Sequence, residues 1–401
     1  MKDNHSLTAS HMPALDGLRG LAILMVTVYR FAHLGPDDPS TLGSGFFSLV
    51  NWGTYGVDLF FVISGFLITG ILDDAKGKDH YLINFIGRRA LRIFPLYYAV
   101  LLVAFVGLPL IGSSIFAAQE PQQAWLWLYG TNIYQTIQGS WCLGRFDHFW
   151  SLAVEEHFYL IWPLVVGAFC RTSTIRICLG IIVCSVVGRV AWMVSGGNEM
   201  APAVLTLFRA DALAVGALIA LAARDKDWRE WLVPVANWTA IVTGLLVLPL
   251  LVLNRRALMV PETLLAWHFG AWIVIAVSGS WDRWLGGVWS NPSLQFLSRY
   301  SYGMYVFQNL LIAVMEPVLT AESMCATVGS IFWGRLAYTA IMFSLALGVA
   351  MASWHGFEQH FLALKDYFTS PSKSDAPCDE AKIATTSPGT SQQDAPANTA
   401  V

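Results

Sequence analysis

The first apolar segment, residues 15–34, carries two arginines that could act on a substrate within a membrane. Arg19 and Arg30 are eleven residues apart, so on a helix they lie on one face, about 16 Å from each other. His33 lies one turn beyond Arg30 on the same face. An ionised group inside a membrane span costs about 2.5 kcal/mol or more and is expected to face protein or a wet cavity. Either arginine alone could reach a membrane interface, but the pair predicts a polar cavity.

Asp58 is an acid near the start of the second apolar segment. A carboxylate in these surroundings needs a cationic partner, and we expect Arg30 or Arg19 on the first helix to supply it. The pair could serve a substrate, or it could be a structural ion pair that holds two helices in register. In the same segment Ser64 and Gly65 are candidate substrate-binding residues, although the glycine could instead allow close helix packing.

Two adjacent acids, Glu155 and Glu156, lie one turn inside another apolar segment. Neighbouring side chains on a helix point about 100° apart, so the two carboxylates are not expected to act as one dyad. One is expected to reach Arg30 or an acceptor hydroxyl, and the other to face the membrane interface. Trp150 and Ser151 at the start of this segment are candidate substrate-binding residues, and Ser151 is also a candidate helix cap.

A cluster of three arginines opens the third apolar segment in the stretch GRRALRIFPLYY. Arg92 is one helical turn from both Arg88 and Arg89, so the three guanidinium groups are expected to lie close together. Guanidinium groups suit phosphates, which predicts a site for a nucleotide-bearing donor. Ordinary anchoring by positive charge at the cytoplasmic face would give the same pattern.

Three further polar residues in apolar segments are candidate substrate-binding residues: Arg209, Tyr302 and Gln308.

The composition is that of a membrane protein. Hydrophobic residues make up 55% and charged residues only 13% of the 401 residues, about half the charged share of a soluble protein. The net charge of −3 and the lack of a basic cluster interleaved with aromatic residues argue against nucleic-acid binding. The six cysteines have no metal-ligand spacing, so we predict no metal site.

The hydropathy pattern predicts an all-α, polytopic bundle of about ten transmembrane helices around a polar cavity. The ten segments lie near residues 15–34, 55–72, 93–113, 150–169, 175–195, 203–222, 235–253, 264–280, 302–320 and 331–353. The predicted domains are a cytoplasmic N-terminal segment 1–12, a transmembrane domain 13–368, and a cytoplasmic tail 369–401. The tail is rich in Ser, Thr, Ala and Pro and is expected to be disordered.

The distribution of Lys and Arg predicts that both termini face the cytoplasm and that the protein is a multi-pass protein of the cell membrane. With that orientation the inner loops hold twelve basic residues and the outer loops three. The inner residues are Lys76, Lys78, Arg88, Arg89, Arg92, Arg171, Arg176, Arg224, Lys226, Arg229, Arg283 and Arg299. The outer residues are Arg145, Arg255 and Arg256.

Seven short motifs, in order, carry a family resemblance: LDGLRGLAIL, GVDLFFVISGFLIT, GRRALRIFPLYY, WSLAVEEHFYLIWP, RADALAVG, SYGMYVF and SWHGFEQHF. Each motif alone is weak, but together they resemble the acyltransferase-3 family of integral membrane acyltransferases, from about residue 13 to residue 365. The resemblance implies a ten-helix domain that takes an acyl group, commonly acetyl, from cytoplasmic acyl-coenzyme A. It implies transfer to a hydroxyl of a glycan, a lipid-linked saccharide or another surface or secreted acceptor, with no permanently bound cofactor.

The resemblance also implies roles for single residues. The matching family positions tied to function are Arg19, the pair Arg89 and Arg92, and the run Ser64, Gly65 and Phe66, and the arginines suit the phosphates of coenzyme A. Two positions depart from the family pattern, because Arg30 and Gln308 stand where the family usually has histidine.

Arginine stays protonated at any working pH and cannot act as a base. The candidates for the general base are His33, Asp58, Glu155 and Glu156, and Arg30 could stabilise an oxyanion.

Two hypotheses follow. The first is a membrane O-acyltransferase whose donor phosphates bind the arginine cluster and whose transfer step occurs in one polar cavity. That cavity is expected to be lined by Arg19, Arg30, Asp58, Glu155 and Gln308. The second is a catalytically inactive relative that binds or transports an acyl or glycan ligand, or assists polysaccharide assembly. The sequence leaves the acceptor, the acyl chain length and the oligomeric state open.

Overall fold

The computed structural model describes residues 12–225, 227–252, 261–281 and 287–368. Within these ranges the regular structure is helical throughout, with no strand. The predicted N-terminal segment, apart from Met12, and the predicted tail 369–401 lie outside the described residues. Four of the loop charges used for orientation also lie outside them: Lys226, Arg255, Arg256 and Arg283.

Thirteen helices of eight residues or more occur in the described ranges. They are α1 (Pro13–Ala32), α2 (Thr41–Asn51), α3 (Gly56–Ala75), α4 (Tyr81–Leu102), α5 (Thr131–Gln138), α6 (Trp150–Ala168), α7 (Arg171–Val194), α8 (Thr206–Ala222), α9 (Trp228–Val252), α10 (Pro261–Ser278), α11 (Pro292–Met315), α12 (Ala321–Val328) and α13 (Ile331–Ser353). Shorter helical turns are Trp52–Tyr55, Leu108–Leu110, Ala117–Gln122, Gln123–Trp127, Gly144–Phe149, Met200–Val204, Val288–Ser290, Gln359–Ala363 and Leu364–Phe368. Two π-helical turns, Val103–Gly107 and Trp354–Glu358, continue α4 and α13.

Each of the ten predicted segments overlaps one long helix. Among the described residues, six helical stretches are long and apolar enough to cross a membrane: Thr41–Ala75, Tyr81–Leu110, Arg171–Val194, Met200–Ala222, Trp228–Val247 and Ile331–Phe368. Helices α1, α6 and α11 are also 19 residues or longer, but charged and polar side chains interrupt them. The protein is therefore an all-helical, multi-pass membrane protein, and the count of ten spanning helices stays a prediction.

Glycines allow α3 and α8 to pack closely. A Cβ atom added to Gly65 of α3 would lie 1.9 Å from the carbonyl oxygen of Leu213 on α8. A Cβ atom added to Gly216 of α8 would lie 2.0 Å from the carbonyl oxygen of Val62 on α3. Helix packing in membranes relies on such small residues because they let two backbones approach. Gly65 thus has the packing role that the sequence left open, and it brings the charged first turns of α3 and α8 together.

Candidate active site

Among the described residues, the predicted site residues line two separate cavities, where the sequence predicted one. The first, here called the Arg89 cavity, is bordered by α1, α3, α4, α6 and α11. Its polar lining residues are Arg19, Ser64, Arg89, Arg92, Ser151, Glu155, Glu156, Tyr159, Ser301, Tyr302 and Tyr305. The second, here called the Arg30 cavity, lies among the ends of α1, α3, α6, α8 and α10. Its charged and polar lining residues include Arg30, His33, Asp58, Arg145, Asp147, His148, Arg209, Glu262, Tyr305 and Asn309.

The helical spacing of the two arginines on α1 explains the separation of the cavities. Arg19 lines the Arg89 cavity, and Arg30, three turns away, lines the Arg30 cavity. The Arg30 cavity is the larger, at about 430 Å³ against about 90 Å³ for the Arg89 cavity. The prediction that Arg19, Arg30, Asp58 and Glu155 share one cavity was therefore wrong. The two arginines lie on the same face of α1, but this face borders one cavity at Arg19 and the other at Arg30.

The Arg89 cavity collects three guanidinium groups and two carboxylates. The Arg89 guanidinium lies 5.7 Å from the ring centre of Tyr159, whose hydroxyl is 2.6 Å from Ser64 Oγ. Both Glu155 and Glu156 line this cavity. The expectation that one of them faces the membrane interface was wrong. The cavity is wide enough around α6 to be lined by both side chains, although they point about 100° apart. One oxygen of Glu156 is buried without a hydrogen-bond partner within the described residues.

The structure places two other predicted residues differently. Arg88 does not line the Arg89 cavity, because its Nε donates to the carbonyl oxygen of Phe368 at 2.8 Å. Ser151 is not a helix cap, since α6 begins at Trp150 with Phe149 in the cap position. Its Oγ lies 3.3 Å from the carbonyl oxygen of His148 and contributes to the wall of the Arg89 cavity.

Asp58 pairs with Arg209 of α8, and not with Arg30 or Arg19. Both side chains are about 95% buried, at 6% and 5% exposure. The close packing of α3 on α8 brings these two residues together. The Arg209 guanidinium also lies 5.8 Å from the ring centre of Phe61 and 5.7 Å from that of Trp150. Phe61 lines the Arg89 cavity and Trp150 the Arg30 cavity, so this ion pair lies between the two.

Arg30 has no ion-pair partner in the part of the chain that the structure describes. Its Nε is buried without a hydrogen-bond partner, and its guanidinium lies 5.7 Å from the ring centre of Tyr29. Asp147 also lines the cavity and attracts Arg30 electrostatically without an ion-pair contact, and its Oδ1 accepts from Gln135 Nε2 at 2.9 Å and from the Leu143 amide at 2.8 Å. The Arg30 charge is therefore available to a ligand.

His148 is a buried residue of the site that the sequence did not single out. Asn309 Nδ2 lies 3.0 Å from its Nδ1, and its Nε2 lies 3.3 Å from the carbonyl oxygen of Val306. Burial, helped by the nearby Arg30 charge, lowers the pKa of His148 to about 3. His148 is thus neutral, with Nε2 donating and Nδ1 accepting, and both ring nitrogens are engaged within the protein.

Gln308 lines neither cavity. It is fully buried, and neither atom of its amide has a hydrogen-bond partner among the described residues. The prediction that it borders the same cavity as Arg30 was wrong. On α11 the cavity-facing positions are Ser301, Tyr302, Tyr305 and Asn309. Gln308 is only about 20° from Ser301 around the helix, so packing by neighbouring residues, and not helical phase, keeps it out of the cavities.

The two cavities meet at Val57 and Tyr305, which line both. The Tyr305 hydroxyl donates to the carbonyl oxygen of His148 at 2.9 Å and lies 2.5 Å from Ser151 Oγ. A molecule that enters the Arg89 cavity and one that enters the Arg30 cavity would therefore come closest at this tyrosine.

Comparisons with known proteins agree with the motifs. A family model described as an acyltransferase domain matches residues 12–355. A putative peptidoglycan O-acetyltransferase of Bacillus subtilis, YrhL, is 30% identical over 331 residues, which cover 77% of this chain and 50% of that protein. The peptidoglycan O-acetyltransferase OatA of Listeria monocytogenes is 26% identical over 342 residues, which cover 80% and 52%. The chain thus spans about half the length of these relatives, and no solved structure matches it.

Proposed function

Because this chain belongs to the acyltransferase-3 family, we propose that it transfers an acyl group, in the first place acetyl, from acyl-coenzyme A to a hydroxyl of a glycan. The observation that carries the proposal is the pair of cavities that meet at Tyr305. One suits an anionic donor, the other suits a polar acceptor, and a group transfer needs both substrates to meet at one point.

The Arg89 cavity is the proposed donor site. Arg19, Arg89 and Arg92 line it together, and guanidinium groups bind phosphates in bidentate geometry. In the orientation that the loop charges predict, this arginine cluster lies toward the cytoplasm, where acyl-coenzyme A is made. The phosphates would bind these arginines, and the thioester would extend toward Tyr305.

The Arg30 cavity is the proposed acceptor site. Aromatic rings of Tyr29, Tyr55, Trp141 and Trp150 line it beside the charged groups. Aromatic rings offer flat apolar faces, and the polar groups fix orientation, as is usual in small-molecule sites. Two of the relatives are named for O-acetylation of peptidoglycan, so an exported or lipid-linked saccharide is the acceptor class we propose.

In the transfer step the acceptor oxygen attacks the thioester carbonyl carbon, the C–S bond breaks, and coenzyme A leaves as a thiol. The unpaired guanidinium of Arg30 would stabilise the oxyanion that forms on the way. Among the predicted bases, Asp58 is held by Arg209, and Glu155 and Glu156 line the donor cavity. His33 lines the acceptor cavity, at its exposed edge.

The test is turnover by the purified full-length chain with radiolabelled acetyl-coenzyme A and a lipid-linked saccharide. We expect labelled saccharide and free coenzyme A in equal amounts. Arg30→Ala should lower kcat about 100-fold or more, since losing one oxyanion donor has that effect. Arg176→Ala, which removes an exposed arginine on α7, is the control.

A second candidate function is favoured by Arg30 and Gln308 at the two positions where the family usually has histidine. In that case the protein would bind an acyl donor or a glycan without transferring the acyl group. Wild-type protein that binds acetyl-coenzyme A but releases no coenzyme A with any saccharide acceptor would support this alternative and contradict the first proposal.

A further inference from the structure

Glu262 is a buried carboxylate that lines the Arg30 cavity. It is 9% exposed, and its Oε2 has no hydrogen-bond partner within the described residues. A buried polar atom without a partner costs free energy, and an unpaired buried carboxylate costs more. Since the side chain lines the Arg30 cavity, its carboxylate is a candidate to bind a substrate there.

The residue after Glu262 fixes its position. Thr263 Oγ1 donates to Asp211 Oδ2 of α8 at 2.6 Å. Arg189 of α7 donates to that same carboxylate at 2.6 Å and also hydrogen-bonds Thr263. This buried network ties the first turn of α10 to α7 and α8. The backbone of Glu262 is therefore held by its neighbour, and its side chain lines the Arg30 cavity.

Glu262 also lies near the boundary between the two cavities. It interacts electrostatically with Asp58 and Arg209. The Arg209 guanidinium lies between Phe61, which lines the donor cavity, and Trp150, which lines the acceptor cavity. An acceptor hydroxyl bound by Glu262 would therefore lie in the Arg30 cavity, close to the boundary with the Arg89 cavity. The thioester would approach that boundary from the Arg89 cavity.

We propose that Glu262 is the general base that accepts the proton of the acceptor hydroxyl. This inference rests on the proposed acyl transfer. As the O–H bond breaks, the proton moves to Glu262 and the oxygen forms a bond to the thioester carbonyl carbon. The C–S bond then breaks, and the departing thiolate takes the proton back from Glu262, directly or through water. The products are the O-acyl ester and the free thiol, and Glu262 ends as the carboxylate.

The other groups of the cavity are less suited to this task. Both ring nitrogens of His148 are engaged. Asp58 is paired with Arg209, and Oδ1 of Asp147 already accepts two hydrogen bonds from the protein. His33 is exposed at the edge. Glu262 on α10 would therefore take the role of general base that Arg30 on α1, at a position where the family usually has histidine, cannot perform.

The experiment compares wild type with Glu262→Gln, which keeps the shape and polarity of the side chain but removes its basicity. With the saccharide acceptor we expect kcat to fall about 100-fold or more, the usual size of a lost general base. The KM for acetyl-coenzyme A should stay unchanged. Glu262→Asp should recover part of the activity. Glu322→Gln, at an exposed glutamate of α12, is the matched control.

A second acceptor separates a base from a structural role. Hydroxylamine is nucleophilic without a base, so Glu262→Gln should acetylate it at a rate close to that of wild type. Equal loss with hydroxylamine and the saccharide, or full saccharide activity in Glu262→Gln, would overturn the assignment. Wild type that transfers acetyl to neither acceptor would overturn the proposed function, and the base with it. Wild-type turnover with an insensitive Glu262→Gln would overturn the base alone.

Discussion

The hydroxyl of Tyr305 lies 2.5 Å from Oγ of Ser151, at the wall that the two cavities share. The same tyrosine hydroxyl donates to the carbonyl oxygen of His148 at 2.9 Å. These contacts join α11 to the first turn of α6 where the Arg89 cavity and the Arg30 cavity meet.

The first prediction concerns this contact. Tyr305→Phe and Ser151→Ala should each lower the free energy of unfolding, because each leaves a buried polar group with fewer partners. The double variant should lose less than the sum, by about 1 kcal/mol, since the two residues share one interaction. Detergent-denaturation curves of the four proteins measure this difference. Losses that add within about 0.5 kcal/mol would show that the hydroxyls do not interact.

The second prediction concerns the buried pair of Asp58 and Arg209. Asp58→Asn should lower the free energy of unfolding by about 3–5 kcal/mol, because it leaves a buried guanidinium without its carboxylate. Glu316→Gln removes half of a more exposed pair, with Arg145, and should cost less than about 1 kcal/mol. If Asp58→Asn keeps the stability of wild type but loses all turnover, Asp58 acts on the substrate instead of holding two helices.

The third prediction separates the members of the arginine cluster. Arg92→Ala should raise the KM for acetyl-coenzyme A at least about tenfold, because a charge-assisted hydrogen bond contributes about 1.5–3 kcal/mol. Arg88→Ala should change it less than about twofold, since Arg88 bonds Phe368 and does not line the cavity. Steady-state kinetics with both variants decide the matter. Equal effects would contradict the placement of Arg88.

The fourth prediction is a dependence of stability on pH. The pKa of His148 is lowered from 6.5 to about 3 by burial, so folding favours the neutral ring. Its contribution to stability is present above pH 6.5 and is lost as the pH falls toward 3, by about 1.4 kcal/mol per pH unit. Wild type should therefore lose more stability than His148→Gln between pH 6.5 and pH 4. Parallel melting curves across that range would contradict the burial of a neutral imidazole.

The fifth prediction tests the packing role of Gly65. Gly65→Ala should destabilise the protein and lower expression, because the new Cβ would lie 1.9 Å from the carbonyl oxygen of Leu213. Gly180→Ala on α7 is the control, since no atom lies within 4 Å of its Cβ position. That substitution should stabilise by up to about 1 kcal/mol through helix propensity. A Gly65→Ala protein that melts like wild type but has a raised KM for the donor would make Gly65 a binding residue.

The sequence predicted where the helices lie better than where they begin. The third segment was predicted at residues 93–113, but the helix begins at Tyr81 in the structure. The prediction began too late because Arg88, Arg89 and Arg92 lower the hydropathy of the first turns of α4. The ninth, predicted at residues 302–320, begins at Pro292 and ends at Met315. Hydropathy reports apolar surface, and both helix starts carry polar side chains.

The sequence by itself determined the all-helical class, the membrane setting, the family motifs and the placement of Arg19 and Arg30 on one face of α1. These are local properties, set by composition and by the helical repeat. The tertiary structure alone decided the partner of Asp58, the division of the predicted site residues between the Arg89 cavity and the Arg30 cavity, the exclusion of Gln308 and the position of Glu262 at the Arg30 cavity. These depend on which helices pack together, and Asp58 and Arg209 are 151 residues apart in sequence. The close approach of α3 and α8 at Gly65 and Gly216 brings those two residues into contact, and no local pattern specifies that approach.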